Sequence, residues 1–180
     1  MKKITTLCFL FIGTVMFAQK YYTKTGTTTF KASVSTFEPI EAINKSTSVL
    51  LKTDTGDLAS LLFVSAFRFK VALMEEHFNE NYMDSKTYPK ATFRGNLKGF
   101  QLSKIAEEKK YPLSGTLTIR GVSKQINTIA IFTQKNNTLY LNANFSITPE
   151  DFNIKIPAIV SKKIAKKIMI NLQYELVEKK

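Results

Sequence analysis

The residues best equipped for chemistry lie in one short stretch, EEHFNENYMDSKTYPKATFRG, which runs from Glu75 to Gly95. It contains His77, the one histidine of the chain, among carboxylates, amides and aromatic rings. A histidine beside carboxylates could act as a general base. Such an enzyme also needs a nucleophile or a metal ion, and the sequence offers neither in a recognisable context. An enzyme of the cell envelope that uses His77 with the nearby acids, Glu75, Glu76, Glu80 and Asp84, remains an alternative hypothesis.

Two other interpretations of this stretch need no reaction. In the first, His77 and Asn81 lie one helical turn apart and form hydrogen bonds that pin a short helix across one end of the fold. Pro89 then ends the helix and starts the next strand. In the second, His77, Asn81 and Tyr82 line the mouth of a cavity and contact the head group of a ligand. We favour the structural interpretation and assign no catalytic residue.

The first residues of the chain are typical of a secretory signal peptide. Two lysines precede an apolar run, residues 4–17, which is too short for a membrane-spanning helix. We assign residues 1–18 to this signal and residues 19–180 to one domain, and we expect a periplasmic or secreted location. Cleavage would remove Cys8, the one cysteine, so the mature chain would have no disulfide. With one histidine as well, the sequence predicts no metal site and no cofactor.

The chain is strongly basic, with a formal net charge of +12 at pH 7. Such a charge can indicate nucleic-acid binding, but export argues against it and favours anionic membrane surfaces or envelope polymers. Four lysines lie close together near the end of the chain. They could form a basic turn at a rim that contacts anionic lipid, or a solvated strand edge where lysines block pairing. They are Lys162, Lys163, Lys166 and Lys167.

Alternation of apolar and polar residues with a period of two dominates residues 19–180. In YPLSGTLTIR, for example, Leu113, Leu117 and Ile119 share one face with a glycine, while polar residues share the other. About eight such segments, most joined by short turns, predict an antiparallel sheet with one wet face. So many strands must close into a barrel or stack into a two-sheet sandwich. The sequence therefore predicts an all-β fold.

Two segments depart from this alternation and predict one or two short helices. VALMEEHFNENYM has apolar residues at a spacing of four, which is typical of one or two helical turns. In PAIVSKKIAKKI, Val160, Ile164 and Ile168 fall on one helical line, with the lysines on the other side.

Three motifs taken together resemble the YceI-like family. They are YPKATFRG after a short acidic helix, then LSGTLTIRGVSKQI, then FSITPEDFNI, and the resemblance covers about residues 20–178. One departure is Asn153, which follows Asp151-Phe152 where a glycine is usual. The family positions matched here are His77, Tyr88-Pro89, Phe93, residues 115–119, Gly121-Val122, Lys124 and Asp151-Phe152.

The resemblance implies an extended, lipocalin-like antiparallel barrel of about eight strands. It also implies an exported carrier of a long apolar molecule such as a polyisoprenoid, an isoprenoid quinone or a fatty-acid derivative. It implies no reaction, and it makes a homodimer plausible.

A barrel of eight strands can be filled by its own side chains or can hold one slender ligand. Each inward aromatic residue can therefore be core or ligand-binding wall. The glycines expected inside strands, Gly95, Gly99 and Gly115, would bend the sheet, leave inward space, or both. The residues that we expect to face the interior and bind the ligand are Phe63, Phe67, Phe69, Phe93, Leu117, Ile119, Phe145 and Tyr174.

The function that the sequence favours is an exported carrier of a long-chain amphiphile. The alternatives are the envelope enzyme and a basic module that binds anionic polymers while its barrel is filled.

Overall fold

A computed structural model describes residues 19–33, 39–105 and 107–179 of the chain. The predicted signal peptide, residues 1–18, lies outside the described residues, so its assignment stays a prediction.

The described part of the chain is dominated by nine antiparallel strands. One α-helix, α1 (Ala72–His77), continues directly into a π-helical turn, Phe78–Tyr82. Single turns of 3-10 helix span Val64–Ala66, Leu102–Lys104 and Pro149–Phe152. The strands are β1 (Lys20–Ser33), β2 (Glu41–Lys52), β3 (Asp57–Phe63), β4 (Arg68–Phe69), β5 (Lys90–Leu97), β6 (Lys109–Ile119), β7 (Val122–Lys135), β8 (Thr138–Ile147) and β9 (Ile164–Glu178).

Eight of these strands close into a barrel. They pair in the order β1-β9-β8-β7-β6-β5-β3-β2, and β2 pairs in turn with β1. The two-residue strand β4 adds to the end of β2, where Ala42 pairs with Phe69. Closure pairs the edges that an open sheet would expose. The prediction of an eight-stranded antiparallel barrel is confirmed, and the sandwich alternative is wrong.

One half of the barrel is filled by its own side chains. The segment after β5 folds over this end, where Phe100 and Ile105 are buried. The Phe100 ring packs against Tyr111 and Phe132 with centroid distances of 5.1 and 5.3 Å. Every strand except β4 contributes to this cluster. Its fully buried members are Leu51, Leu97, Ala130, Phe132, Leu139, Leu141 and Leu176.

The segment LLFVSAFRFK is not one continuous strand. Strand β3 ends at Phe63, a 3-10 turn follows, and the backbone N–H of Phe67 donates to the carbonyl oxygen of Val64 at 3.2 Å. This turn breaks the period of two, so Phe63 and Phe67 no longer point to the same side. Phe67 is buried, whereas Phe63 is 48% exposed on the outside. The prediction that Phe63 faces the interior is therefore wrong.

The predicted helix in PAIVSKKIAKKI is also wrong. Residues 157–163 form successive turns, in which Val160 donates to the Pro157 carbonyl at 3.0 Å. Strand β9 begins at Ile164, which pairs with Ser33 of β1. The backbone groups from Ile164 onward bond to a neighbouring strand, so a helix there would leave that strand unpaired.

Asn153 adopts a left-handed conformation, with φ of 56° and ψ of 30°, just after the 3-10 turn Pro149–Phe152. Glycine favours this conformation, and asparagine is among the few other residues that tolerate it. The substitution noted in the sequence therefore keeps the same local turn.

Candidate functional site

The other half of the barrel is hollow. It contains a cavity of ≈ 350 Å³, at the lower end of the range typical of small-molecule sites. Its floor includes Leu58, Leu113 and Tyr174, which also belong to the packed cluster of the filled half. The cavity therefore ends blindly on solid protein.

Two apolar clusters form the walls. One centres on Phe30, Phe67 and Ile168, and the other on Leu117 and Phe152. Phe78 and Ile147 pack against both clusters. The space between these walls is the cavity, and its lining is almost wholly apolar.

Four phenylalanine rings pack against one another beside this space. The Phe30 ring lies 5.2 Å from Phe67 and 5.3 Å from Phe78, and Phe69 lies 5.2 Å from Phe78, centroid to centroid. Offset and edge-on contacts of this kind are each worth about 0.5–1.5 kcal/mol beyond burial. Phe78 reaches the group because it starts the π-helical turn that follows α1. The aromatic cluster thus attaches this helical segment to the barrel.

Glu75 also holds α1 in place. Its carboxylate accepts hydrogen bonds from Arg68 Nη1 at 2.9 Å and from the backbone N–H of Phe69 at 3.2 Å. The side chain of Asn79 donates to the Glu75 carbonyl at 2.9 Å. The helix is therefore tied to strand β4 and to its own next turn.

The prediction that His77 and Asn81 pin this helix is wrong. Both are exposed, and neither side chain forms a hydrogen bond within residues 19–33, 39–105 and 107–179. His77 lines the cavity at its solvent side. Asn81 lies instead in a polar surface groove with Tyr82, Arg120, Asn153 and Lys155. The side chains that attach this segment to the barrel are Glu75 and Phe78. From the sequence, Glu75 was considered only as an acid beside His77.

The mouth of the cavity lies where its lining reaches solvent. Exposed His77 comes from α1, and exposed Lys163 comes from the turns before β9. Lys163 is the one formally charged side chain among the described lining residues. The mouth is therefore weakly basic, while the interior carries no charge.

Most of the predicted ligand-binding residues come together in this cavity. Phe63 and Asn81 do not, and Lys90 Nζ lies 5.6 Å from the Phe63 ring on the outside of the barrel. Whether the others bind a ligand stays a prediction. The members of the predicted set that line the cavity are Phe67, Phe69, Phe93, Leu117, Ile119, Phe145, Tyr174, His77 and Tyr82.

Gly95 and Gly115 do not leave empty space, and Gly99 lies in the turn that follows β5 rather than in a strand. Gly95 pairs with Gly115 across β5 and β6. A Cβ atom on Gly115 would lie 2.7 Å from Cζ of Phe93 and would also collide with the Arg94 carbonyl. The Phe93 ring therefore covers the glycine pair, and the cavity lies beyond it.

A buried group of hydroxyls was not predicted. Thr28 Oγ1 lies 2.9 Å from Thr47 Oγ1 and 3.1 Å from the Tyr174 hydroxyl. Burial raises the pKa of Tyr174 to about 12, although hydrogen bonding with Thr28 and Ser60 opposes this rise. Thr28, Ser60 and Tyr174 line the cavity. The available signal was TGTTTFKA, in which Thr28 has the same parity as the apolar residues that follow it.

The described residues contain no group of three or more His, Cys, Asp or Glu side chains that could hold a metal ion. Within the same part of the chain, no helix has the length and hydropathy needed to span a membrane.

A closed antiparallel barrel that is solid at one end and hollow at the other defines a lipocalin-like protein. The chain belongs to the YceI-like domain family, whose sequence profile matches residues 13–176. Among curated proteins, none matches the sequence significantly.

Several solved structures share this fold. A polyisoprenoid-binding domain from Saccharophagus degradans, implicated in plant cell wall breakdown, superposes with a TM-score of 0.76 at 14% identity, over 90% of this chain and 99% of that one. BcnA of Burkholderia cenocepacia gives 0.68 at 20% identity, over 84% and 96%. The YCEI protein of Campylobacter jejuni gives 0.65 at 20% identity, over 80% and 88%. At these identities the likeness establishes the fold alone.

Proposed function

We propose that this protein is an exported carrier that binds one long-chain amphiphile inside its barrel. The ligand class is a polyisoprenoid, an isoprenoid quinone or a fatty-acid derivative. The observation that carries the proposal is the blind, almost wholly apolar cavity of ≈ 350 Å³. The polyisoprenoid-binding description of the Saccharophagus degradans domain supports the same class of ligand.

Burial of an apolar chain supplies enough free energy for such binding. Each buried CH₂ contributes about 0.8 kcal/mol, so a section of about ten carbons gains roughly 8 kcal/mol. Loss of translational and rotational freedom offsets at least about 4 kcal/mol of that gain. No ion pair is needed, which fits an interior whose one formally charged lining residue stands at the mouth.

Native mass spectrometry of the mature protein, purified from its own envelope, tests the proposal. We expect one retained amphiphile at near-stoichiometric amount, which extraction then identifies. Ala91→Phe should abolish retention because Ala91 lines the cavity, whereas Ala59→Phe on the exposed outer face of β3 should not. An empty protein that also takes up no isoprenoid or fatty chain would contradict the carrier function.

We also propose that the protein catalyses nothing. Among the candidate acids near His77, the Glu75 carboxylate is engaged by Arg68 and by the Phe69 N–H. We expect His77→Ala to weaken chain binding only slightly, because His77 lines the cavity only at its solvent side. Turnover of an envelope substrate that this substitution abolishes would instead support the enzyme hypothesis.

We further propose that the mouth of the barrel contacts anionic membrane lipid. Lys162, Lys163, Lys166 and Lys167 are all exposed, and Lys163 lines the mouth. Exposed apolar side chains flank them, with Ile159 89% exposed in the same turns. Lysines that surround protruding apolar groups are suited to a negatively charged bilayer. A ligand could then pass between the bilayer and the cavity without crossing water.

Location and assembly complete the proposal. The basic and apolar residues 1–18 support export to the periplasm or beyond the cell. N-terminal sequencing of the native protein tests this, since export predicts a mature chain that starts near residue 19. A homodimer, which the family resemblance makes plausible, is tested by sedimentation equilibrium.

A further inference from the structure

The cavity floor carries a cluster of hydroxyl groups in an otherwise apolar setting. We call Thr28, Thr47, Ser60 and Tyr174 the floor hydroxyls. They come from β1, β2, β3 and β9, which neighbour one another around the barrel. Thr28, Thr47 and Tyr174 are 5%, 0% and 3% exposed. Such deeply buried hydroxyls require hydrogen-bond partners.

The cluster satisfies only part of its own hydrogen-bonding capacity. Thr28 contacts Thr47 and Tyr174 at 2.9 and 3.1 Å, and Ser60 lies near the Tyr174 hydroxyl. Each hydroxyl has one proton to donate and two lone pairs that accept. These two hydrogen bonds use two of the four protons and two of the eight lone pairs. The floor hydroxyls can therefore donate to, and accept from, a further polar atom.

The location of these unused hydrogen-bonding groups indicates how a ligand would be oriented. Thr28, Ser60 and Tyr174 line the blind end of the cavity, opposite the mouth where Lys163 and His77 reach solvent. From this geometry we propose that the ligand enters polar end first. The polar end of the chain then rests on the floor hydroxyls, and the apolar chain runs outward between the phenylalanine walls. This inference rests on the proposed carrier function.

The same geometry specifies the chemistry of that polar end. No charged side chain is found among the described residues that line the floor, and Lys163 is at the other end of the cavity. A carboxylate or phosphate at the floor would be buried without a counter-ion, which is strongly unfavourable. An uncharged oxygen, such as that of an alcohol, a ketone or a quinone, would instead form hydrogen bonds with the floor hydroxyls. The ligand class is therefore an amphiphile with an un-ionised oxygen at one end.

Photo-crosslinking tests the orientation directly. The probes are two hexadecanols, one with a diazirine beside the hydroxyl and one with it near the terminal methyl. We expect the first to label the floor around Thr28 and Tyr174, and the second to label the mouth around Met74 and Val160. The reverse pattern would overturn the polar-end-first orientation. No labelling of the cavity by either probe would instead contradict the carrier function itself.

Affinity measurements test the chemistry of the polar end. We expect Tyr174→Phe to weaken hexadecanol binding about 2- to 12-fold, since one hydrogen bond is lost. Ser60→Ala should have the same direction of effect and keeps the test valid if Tyr174→Phe folds poorly. Tyr140→Phe, on the outer side of β8, is the matched control and should change nothing.

Two results would overturn this assignment. One is unchanged hexadecanol affinity in both floor variants, which would mean that the cluster serves only structure or a bound water. The other is tighter binding of hexadecyl phosphate than of hexadecanol, lost in Lys163→Gln, which would place an anionic head at the mouth.

Discussion

At the scale of single residues, Tyr174 connects the two halves of the barrel. Its ring belongs to the packed cluster, and its hydroxyl reaches the floor of the cavity. The ring also lies against Gly26, where a Cβ atom would come within 2.6 Å of Tyr174 Cδ1. Glycine at position 26 therefore allows the ring to lie across the strand. Tyr174 thus forms the boundary between the packed core and the cavity.

Tyr174 should make the protein sensitive to alkali. Burial raises its folded-state pKa to about 12, above the ordinary value of 10.0. Between these values the unfolded chain loses the phenol proton and the folded chain keeps it. Stability is therefore complete below about pH 10 and falls as the pH rises toward 12, by up to about 1.4 kcal/mol per pH unit.

The measurement is urea unfolding between pH 8 and 11.5. The difference in the free energy of unfolding between the wild type and Tyr174→Phe should shrink as the pH rises. Tyr140→Phe provides the control for loss of a hydroxyl on the outer face. A wild-type advantage that stays constant over this range would show that Tyr174 ionises equally in both states.

The sequence could predict which side of a regular strand each residue of the site faces. Leu117, Phe145 and Tyr174 lie in uninterrupted strands, so the period of two places them inside correctly. Phe63 was misplaced because a three-residue turn, Val64–Ala66, lies between it and Phe67. The sequence of that turn, VSA, contains no glycine or proline that would indicate it. Thr28, Thr47 and Ser60 were missed because polar residues of an antiparallel sheet are expected on its wet face.

At the scale of elements, α1 and its π-helical turn form a cover beside the mouth. This segment has no buried residue between Ala72 and Tyr82. It is held by the phenylalanine cluster through Phe78 and by Glu75 through strand β4. An element with so little burial is among the first to open locally, which suits a cover that a ligand must pass.

Glu75→Gln should loosen this cover without unfolding the barrel. The Glu75 side chain is 28% exposed and that of Arg68 is 64% exposed, so the ion pair itself contributes no more than about 1 kcal/mol. We expect ligand release to quicken roughly 2- to 5-fold and amide exchange to increase over residues 72–82. The melting temperature should change little.

The matched control for this variant is Glu80→Gln. It removes an ion pair with Lys86 of 3.7 Å in which both side chains are exposed. Equal effects of the two substitutions would mean that overall charge, rather than the Glu75 contacts, governs release.

The elements themselves were largely predictable, because a closed barrel imposes alternation on almost every strand. Besides the turn after β3, one exception lies before β9, where lysine pairs at a spacing of four resemble the pattern of a helix. A bulge in the pairing of β1 with β9 between Lys31 and Ser33 disturbs the alternation there. Local pattern is therefore least informative where strands are irregular at the mouth.

At the scale of the whole molecule, the two ends of the barrel differ, since one is filled by side chains and the other is hollow. Which half is filled could not be predicted, because both halves contain inward aromatic residues. The difference lies in long-range packing. The segment after β5 brings Phe100 and Ile105 into one end, whereas at the other end the short α1 segment and residues 149–163 border a cavity that stays open. The open end is also the one that carries the lysine cluster.

Contact of this end with anionic membranes is the whole-molecule prediction. Replacing Lys162, Lys163, Lys166 and Lys167 with glutamine should weaken binding to vesicles of mixed phosphatidylglycerol and phosphatidylcholine. The expected loss is about tenfold or more at low salt, since each lysine near the surface adds about 1 kcal/mol. Flotation of the protein with vesicles measures this binding.

The control variant carries the same change in net charge, but at the closed end of the barrel. Its four glutamines replace exposed lysines that lie around the filled half, which are Lys98, Lys104, Lys109 and Lys110. If the mouth docks, this variant retains vesicle binding close to that of the wild type. Equal losses in both variants would mean that net charge alone attracts the protein. Chain binding in detergent-free solution should persist in 0.5 M salt in every case, because burial of an apolar chain is not screened as ion pairs are.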